Sequence, residues 1–263
     1  MERWQGRVAV VTGASAGIGA AIVEDLVESG MVVVGLARRE DRLLDMKNKL
    51  QGKSGTLHPI KTDITKEEDL KKAFKWIKEN LGGVDVMVNN AGVLITSHAT
   101  DGNIEEWRKM FELNVFAVGA CAREAINSMK ERNVDDGHII NINSLASHWI
   151  PDFPGITPYS SSKHASLVIG EGLRRELASE KSKIKVTSIS PGIVETEMFD
   201  SFRGGQDITI SIEPLTAKDI ADAVHYVLGT PPNVQVWELL KREAQTGGYG
   251  IHPRKEGGPH PGQ

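Results

Sequence analysis

Tyr159-Ser160-Ser161-Ser162-Lys163 sets a phenol and an amine four positions apart, directly behind Pro158. On a helix, positions i and i+4 share a face, so Tyr159 and Lys163 can converge on one ligand. A tyrosine with its ordinary pKa near ~10 is a poor base at neutral pH, but a neighbouring cation favours phenolate. Tyr159 can then accept the proton of an alcohol, or return it to a carbonyl in the reverse direction. A third group stands in Ile139-Ile140-Asn141-Ile142-Asn143-Ser144, a strand-like run ending in serine. That presents a hydroxyl at the carboxyl edge of a sheet, where open α/β sheets bind ligands. Ser144 suits hydrogen bonding to a substrate oxygen as charge develops on it, and Ser147 competes for the role from farther along the chain. Each group alone also reads as a helix start or a structural serine; their joint presence beside the next motif is what carries weight.

Val8-Ala9-Val10-Val11 runs into Thr12-Gly13-Ala14-Ser15-Ala16-Gly17-Ile18-Gly19 and then an apolar helical stretch. Glycines let backbone amides approach a pyrophosphate, and the following helix N-terminus adds partial positive charge. No Gly-Lys-Ser/Thr follows, which excludes a P-loop, and the spacing Gly13, Gly17, Gly19 departs from G-x-G-x-x-G. At the end of the second strand an acid would bind the ribose of NAD, whereas an arginine accommodates the 2′-phosphate of NADP. The chain reads Ala37-Arg38-Arg39 there, so NADP(H) is expected in preference to NAD(H). Arg39 either assists Arg38 or points into solvent, and Ser15 is a further donor. Lys163 has donors suited to the nicotinamide ribose.

Elements that must position these groups follow from periodicity. Short β-branched runs at 8–12, 31–37, 56–61, 84–89, 138–142 and 185–190 alternate with helical stretches at 17–29, 40–50, 66–81, 104–132, 159–179 and 217–228. This is the pattern of repeated βαβ units on a buried parallel sheet, hence an α/β, Rossmann-type doubly wound fold with helices on both faces. Residues 199–213 hold Gly204-Gly205 and read as a mobile loop, a lid. The segment 238–244 is helical by propensity, but extended Val234-Gln235-Val236 precedes it, and with the resemblance described below, which implies a last parallel strand, it is read as a strand. Residues 1–246 are expected to form one domain, and the Gly-, Pro- and His-rich stretch 247–263 a disordered tail.

Composition excludes several classes. With 40% apolar and 25% charged residues and a net charge of −4, the chain is globular, and it has no basic excess for nucleic acid. The apolar run from Val8 to Val11 is too short for a signal or membrane segment, and the single Cys121 reads as a small core residue, so the cytoplasm is expected. His58, His98, His138, His148, His164 and His225 show no metal-ligand spacing, so no metal is expected. Val93, Leu94, Leu145, Trp149, Ile150, Phe153, Met198, Phe199 and Phe202 follow strand ends and are expected to line an apolar substrate pocket.

These residues resemble the short-chain dehydrogenase/reductase family along nearly the whole chain. The match runs through residues 12–19, Asp63, Asn89-Asn90-Ala91-Gly92, Asn114, Ser144, Tyr159 with Lys163, and Pro191-Gly192-Ile193-Val194-Glu195-Thr196. The resemblance implies about seven strands and a catalytic tetrad at Asn114, Ser144, Tyr159 and Lys163, the asparagine bending its helix and holding a water that links the lysine to solvent. It implies cofactor contacts from Gly13, Ser15, Gly17, Ile18, Gly19, Arg38, Arg39, Asp63, Ile64, Asn90, Ala91, Gly92, Tyr159, Lys163, Pro191, Gly192, Val194 and Thr196. Met1-Glu2-Arg3-Trp4, residues 128–144 and residues 189–196 are similar to the branch of insect farnesol dehydrogenases and vertebrate 17-beta-hydroxysteroid or ketosteroid reductases. The expected activity is hydride transfer between NADP(H) and a lipophilic alcohol, ketone or aldehyde, in a homodimer or homotetramer packed through the long helices. A cofactor-sensing or binding protein on the same scaffold is the alternative, distinguished by loss of the tyrosine, lysine or serine. An extended-type epimerase would need a larger C-terminal region.

Overall fold

Val8–Thr12 (β1), Val32–Ala37 (β2), Thr56–Lys61 (β3), Val86–Asn89 (β4), His138–Ile142 (β5), Lys185–Pro191 (β6) and Glu238–Lys241 (β7) pair in parallel, in the order β3-β2-β1-β4-β5-β6-β7. The computed structural model describes residues 1–203 and 213–244. Every residue of β1, β5 and β6 is buried, and β1 accordingly reads as an apolar run, while β5 and β6 also bury the polar His138, Asn141 and Lys185. Within β1 the pleat divides the side chains between two cores: Ala9 and Val11 enter one, Val8 and Val10 the other.

Helices close both faces. Gly17–Glu28 (α1), Glu40–Lys49 (α2) and Ala217–Gly229 (α8) supply Ile22, Leu26, Leu43, Ile220 and Val224 to the first core. Glu67–Leu81 (α3), Val118–Glu131 (α5) and Thr157–Ser179 (α6) supply Leu70, Phe74, Ile77, Ala125, Met129 and Leu177 to the second. Cys121 belongs to that second core, and burial pushes its thiol up to about 12, leaving it inert. Strand order reverses between β1 and β4, so a crevice opens beyond their carboxyl ends.

Two expectations need correction. The stretch read as one helix over 104–132 is Ile104–Phe111 (α4), a π-helical segment Glu112–Ala117, then α5. Residues 199–203, read as loop, belong to the helix Glu197–Arg203 (α7), because Phe199 and Phe202 lie on one face and pack against the apolar cluster around Tyr159. Residues 204–212 of that expected lid, and the expected tail at 247–263, lie outside the described residues. The strand expected in 238–244 forms at Glu238–Lys241, pairing with Ser188–Pro191 and overriding helical propensity. Among the described residues no helix is long and apolar enough to cross a membrane.

Candidate active site

The turn between β1 and α1 is built so that side chains would close it. Gly13 has φ +66° and Gly17 has φ +53°, the left-handed region that glycine enters without strain. A Cβ on Gly19 would lie 2.4 Å from the carbonyl oxygen of Gly13, so this glycine lets helix and turn approach. It does not line the cavity, whereas Gly13, Ser15, Gly17 and Ile18 do. Thr12 ties the turn to the end of β4: its hydroxyl accepts from the amides of Asn90 and Ala91, each at 3.0 Å, while Asn90 Nδ2 donates to the Thr12 carbonyl at 2.8 Å. Opposite the turn, a Cβ on Gly17 would meet Thr196 Cγ2 at 3.2 Å. The slot between them, floored by backbone and headed by the start of α1, fits a pyrophosphate.

Beyond that slot the cavity deepens to about 850 Å³ and reaches Tyr159, Ser144 and Lys163. Ser144 caps a short 3₁₀ turn, accepting from the Ala146 amide at 3.1 Å, which fixes its hydroxyl at the end of β5. Ser147 hydrogen-bonds the Ser144 carbonyl, is buried and does not line the cavity, so it is removed from competition. Tyr159 and Lys163 sit in the first turns of α6, both buried. Burial pushes the Tyr159 phenol up to about 12, and a hydrogen bond with the Ser144 side chain pulls against that shift. Burial brings the Lys163 ammonium down to about 8. Its Nζ donates to the Ile142 carbonyl at 3.1 Å and lies 6.0 Å from the centre of the Tyr159 ring.

Asn114 lies in the π-helical segment and is fully buried beneath the cavity rather than lining it. Its amide exchanges two hydrogen bonds with the backbone of Val93, both at 2.9 Å, and donates to Ser162 Oγ at 3.0 Å. A Cβ on Gly92 would sit 3.3 Å from Asn114 Oδ1 and 3.5 Å from Lys163 Nζ, so both side chains flank that glycine. Asn114 therefore joins the loop after β4 to α6.

At the far end of the slot, Ala37, Arg38, Asp63, Ile64, Asn90, Ala91 and Gly92 line one wall, and Pro191, Gly192, Val194 and Thr196 the other. Asp63 accepts from the Thr65 hydroxyl and amide, which hold its carboxyl below the usual range. Arg38 makes no hydrogen bond or ion pair with another described residue, whereas Arg39 donates to Ser15 and pairs with Glu197 at 2.7 Å. Sequence reasoning missed two positioning groups here. Thr12 knots the turn, and Glu243, beyond β7, accepts from the Ile193 amide at 2.6 Å. A Cβ on Gly192 would fall 2.6 Å from that carboxylate, so the glycine was its trace in the sequence.

The apolar wall is mostly where it was expected. Phe153, Phe199, Phe202, Val93 and Leu94 cluster around Tyr159, with Ile95, Met110 and Ile156 as unexpected members, and Leu145, Trp149 and Met198 also line the cavity. Ile150 is the exception: it is exposed and takes no part in the lining, because the chain leaves the 3₁₀ turn toward solvent there. Charged Glu105, Arg108, Lys109 and Glu112 of the neighbouring helix complete the rim.

Sheet order, switch-point crevice and glycine-lined slot define a Rossmann-type α/β chain. Residues 7–207 match the model of the short chain dehydrogenase family. Farnesol dehydrogenase of Aedes aegypti is 50% identical over 244 residues, 91% of this chain and 96% of that one. Dehydrogenase/reductase SDR family member 11 of Gallus gallus is 46% identical, over 93% of this chain and 99% of that one. Among solved structures, the alcohol dehydrogenase of the archaeon Thermococcus sibiricus, complexed with 5-hydroxy-NADP, superposes with a TM-score of 0.78 at 29% identity, covering 91% of this chain and 97% of that one. The chain belongs to the short-chain dehydrogenase family of oxidoreductases.

Proposed function

We propose that this chain is an NADP(H)-dependent dehydrogenase/reductase acting on lipophilic alcohols and carbonyls, with Asn114, Ser144, Tyr159 and Lys163 as its catalytic set. The observation that carries the reading is the convergence of Tyr159, Ser144 and Lys163 on one cavity, continuous with the glycine-lined slot. Bound nicotinamide supplies the hydride donor or acceptor. Gly13, Ser15, Gly17 and Ile18 hold the dinucleotide from the turn, Asp63, Ile64, Asn90, Ala91 and Gly92 from one wall, and Pro191, Gly192, Val194 and Thr196 from the other. Ser144 orients the substrate oxygen, Tyr159 moves the proton at its phenolic oxygen, and Lys163 supplies positive charge beside it. Asn114 ties the Val93 backbone to Ser162, the residue before Lys163.

Val93, Leu145, Trp149, Phe153, Met198 and Phe199 form an apolar enclosure, which favours terpenoid alcohols, steroids and aromatic or aliphatic ketones over sugars and amino acids. The identity to a farnesol dehydrogenase supports the same class. NADPH oxidation measured across a carbonyl panel tests this: lipophilic compounds are expected to turn over, and turnover confined to charged or polyhydroxylated compounds overturns it. Phe116 and Val168 are exposed on the two helical segments that carry Asn114 and Tyr159, which supports a homodimer or homotetramer built through them. The free Cys121 agrees with a cytoplasmic, reducing setting.

A pH dependence follows from the site's charges. Lys163 is charged at neutral pH and loses its proton as pH rises through about 8, while Tyr159 stays protonated across the neutral range. The resting site therefore holds the proton that a carbonyl needs. Carbonyl reduction is expected to be fastest at neutral pH and to decline as pH rises through about 8, whereas alcohol oxidation gains with pH. Profiles of kcat/KM in both directions check this, and reduction that accelerates with alkalinity contradicts it.

A further inference from the structure

Arg38 and Arg39 are adjacent in sequence but sit in different electrostatic situations. Arg38 faces the cavity, makes no hydrogen bond or ion pair with a described residue, and acts only as a more distant charge on Asp63. Arg39, immediately before α2, donates from Nε to Ser15 Oγ at 3.2 Å and from Nη1 to Glu197 Oε2 at 2.7 Å. The other oxygen of the same carboxylate accepts from Arg42 Nη1 in the first turn of α2. Glu197 opens α7, and the residue before it, Thr196, is the one that packs on Gly17. Ser15, Arg39, Glu197 and Arg42 thus form one line of contacts. It joins the glycine turn and the start of α2 to the helix that carries Met198, Phe199 and Phe202.

We infer that Glu197 is a positioning residue which straps α7 over the dinucleotide slot and so limits cofactor release, acting on NADPH and NADH alike. The inference rests on the slot being the cofactor site, as proposed above. The strap bears on the glycine turn, where both dinucleotides carry the same pyrophosphate, and Arg39 is engaged there by Ser15 and Glu197. Recognition of the 2′-phosphate then falls to Arg38. The pairs are half-exposed, with side-chain exposures of 43% for Arg39, 42% for Arg42 and 55% for Glu197, so each alone holds weakly. Two guanidinium groups sharing one carboxylate make a small network, and the two arginines hold the Glu197 carboxyl below its ordinary pKa. Salt screens such contacts.

The test is stopped-flow release of NADPH and NADH, followed by cofactor fluorescence, from the wild type, Glu197→Gln and Arg42→Ala. Arg42 does not line the cavity, so its variant loosens the strap without touching the slot. Both substitutions are expected to speed release of both cofactors by about threefold to tenfold, the range of one or two half-exposed ion pairs. Added salt should accelerate wild-type release and have less effect on the variants. Unchanged release, or a change confined to NADPH, overturns the assignment. A second measurement needs no cofactor: hydrogen exchange at the amides of Met198 to Phe202 should quicken in both variants. If it does not, the ion pairs do not hold α7 down and the strap is wrong, whatever the release rates. A wild type that binds neither dinucleotide, with normal exchange behaviour in α7, instead overturns the cofactor reading.

Discussion

Tyr159→Phe is expected to remove most turnover while leaving the fold and cofactor affinity nearly unchanged. The substitution deletes one oxygen and retains the ring, which packs with Met110, Ala146, Ile156 and Phe202. Removing the hydroxyl relieves a buried polar group that burial alone disfavours as phenolate, and Ser144 keeps its hydrogen bond to the Ala146 amide. The stability change is therefore about 1 kcal/mol or less, the net worth of one hydrogen bond. Proton transfer by a positioned side chain contributes about a hundredfold to ten-thousandfold to rate, and that factor should be lost from kcat and kcat/KM together. Steady-state kinetics, a cofactor titration and a thermal melt on the same preparation separate the effects. Near-normal turnover in a folded, cofactor-binding variant would remove Tyr159 from the chemistry.

Arg38→Ala is expected to weaken NADPH binding by about tenfold to a hundredfold and NADH binding little, since charge-assisted hydrogen bonds contribute about 1.5–3 kcal/mol. The argument begins at Ala37, the last residue of β2, which supplies neither a carboxylate for a ribose diol nor a charge to repel phosphate. Arg38 follows at the far end of the slot with its planar donors uncommitted to any described residue. Ala37→Asp should move preference toward NAD by adding both the missing acceptor and the repulsion. Titrating both cofactors against wild type and the two variants decides it. Equal wild-type affinity for NADH and NADPH contradicts the assignment, as does an Arg38→Ala loss shared equally by the two.

What the sequence disclosed depended on whether a relationship was local. Strands buried on both faces announce themselves as largely apolar runs, and the spacing of Tyr159 and Lys163 is set by helix geometry, so the sheet, the slot and the juxtaposition of those two side chains were all legible. The clamp of Asn114 on Val93, the knot at Thr12 and the carboxylate of Glu243 under the 191–193 loop join residues distant in the chain, and no spacing encodes them. Arg39 is the sharpest case: its neighbours in sequence point only to solvent or phosphate, and its partner stands 158 positions away. At α7 the signal was present but outweighed. Phe199 and Phe202 have helical spacing, while Gly204-Gly205 drew the reading toward a loop.

The π-helical segment has a consequence for how this chain can vary. An ordinary helix carries a fixed angular phase, so its apolar stripe would face one neighbour throughout. Here α4 turns Met110 to the cluster around Tyr159, whereas α5 turns Cys121, Ala125 and Met129 to the sheet. The wider turn at Glu112–Ala117 offsets one stripe from the other, and Asn114 sits within the offset. Deleting one residue from this segment would restore a regular helix and throw one stripe out of phase, costing either the apolar cluster around Tyr159 or the core. Length is therefore constrained here as firmly as the identity of Asn114: the number of residues in the turn sets the phase between α4 and α5.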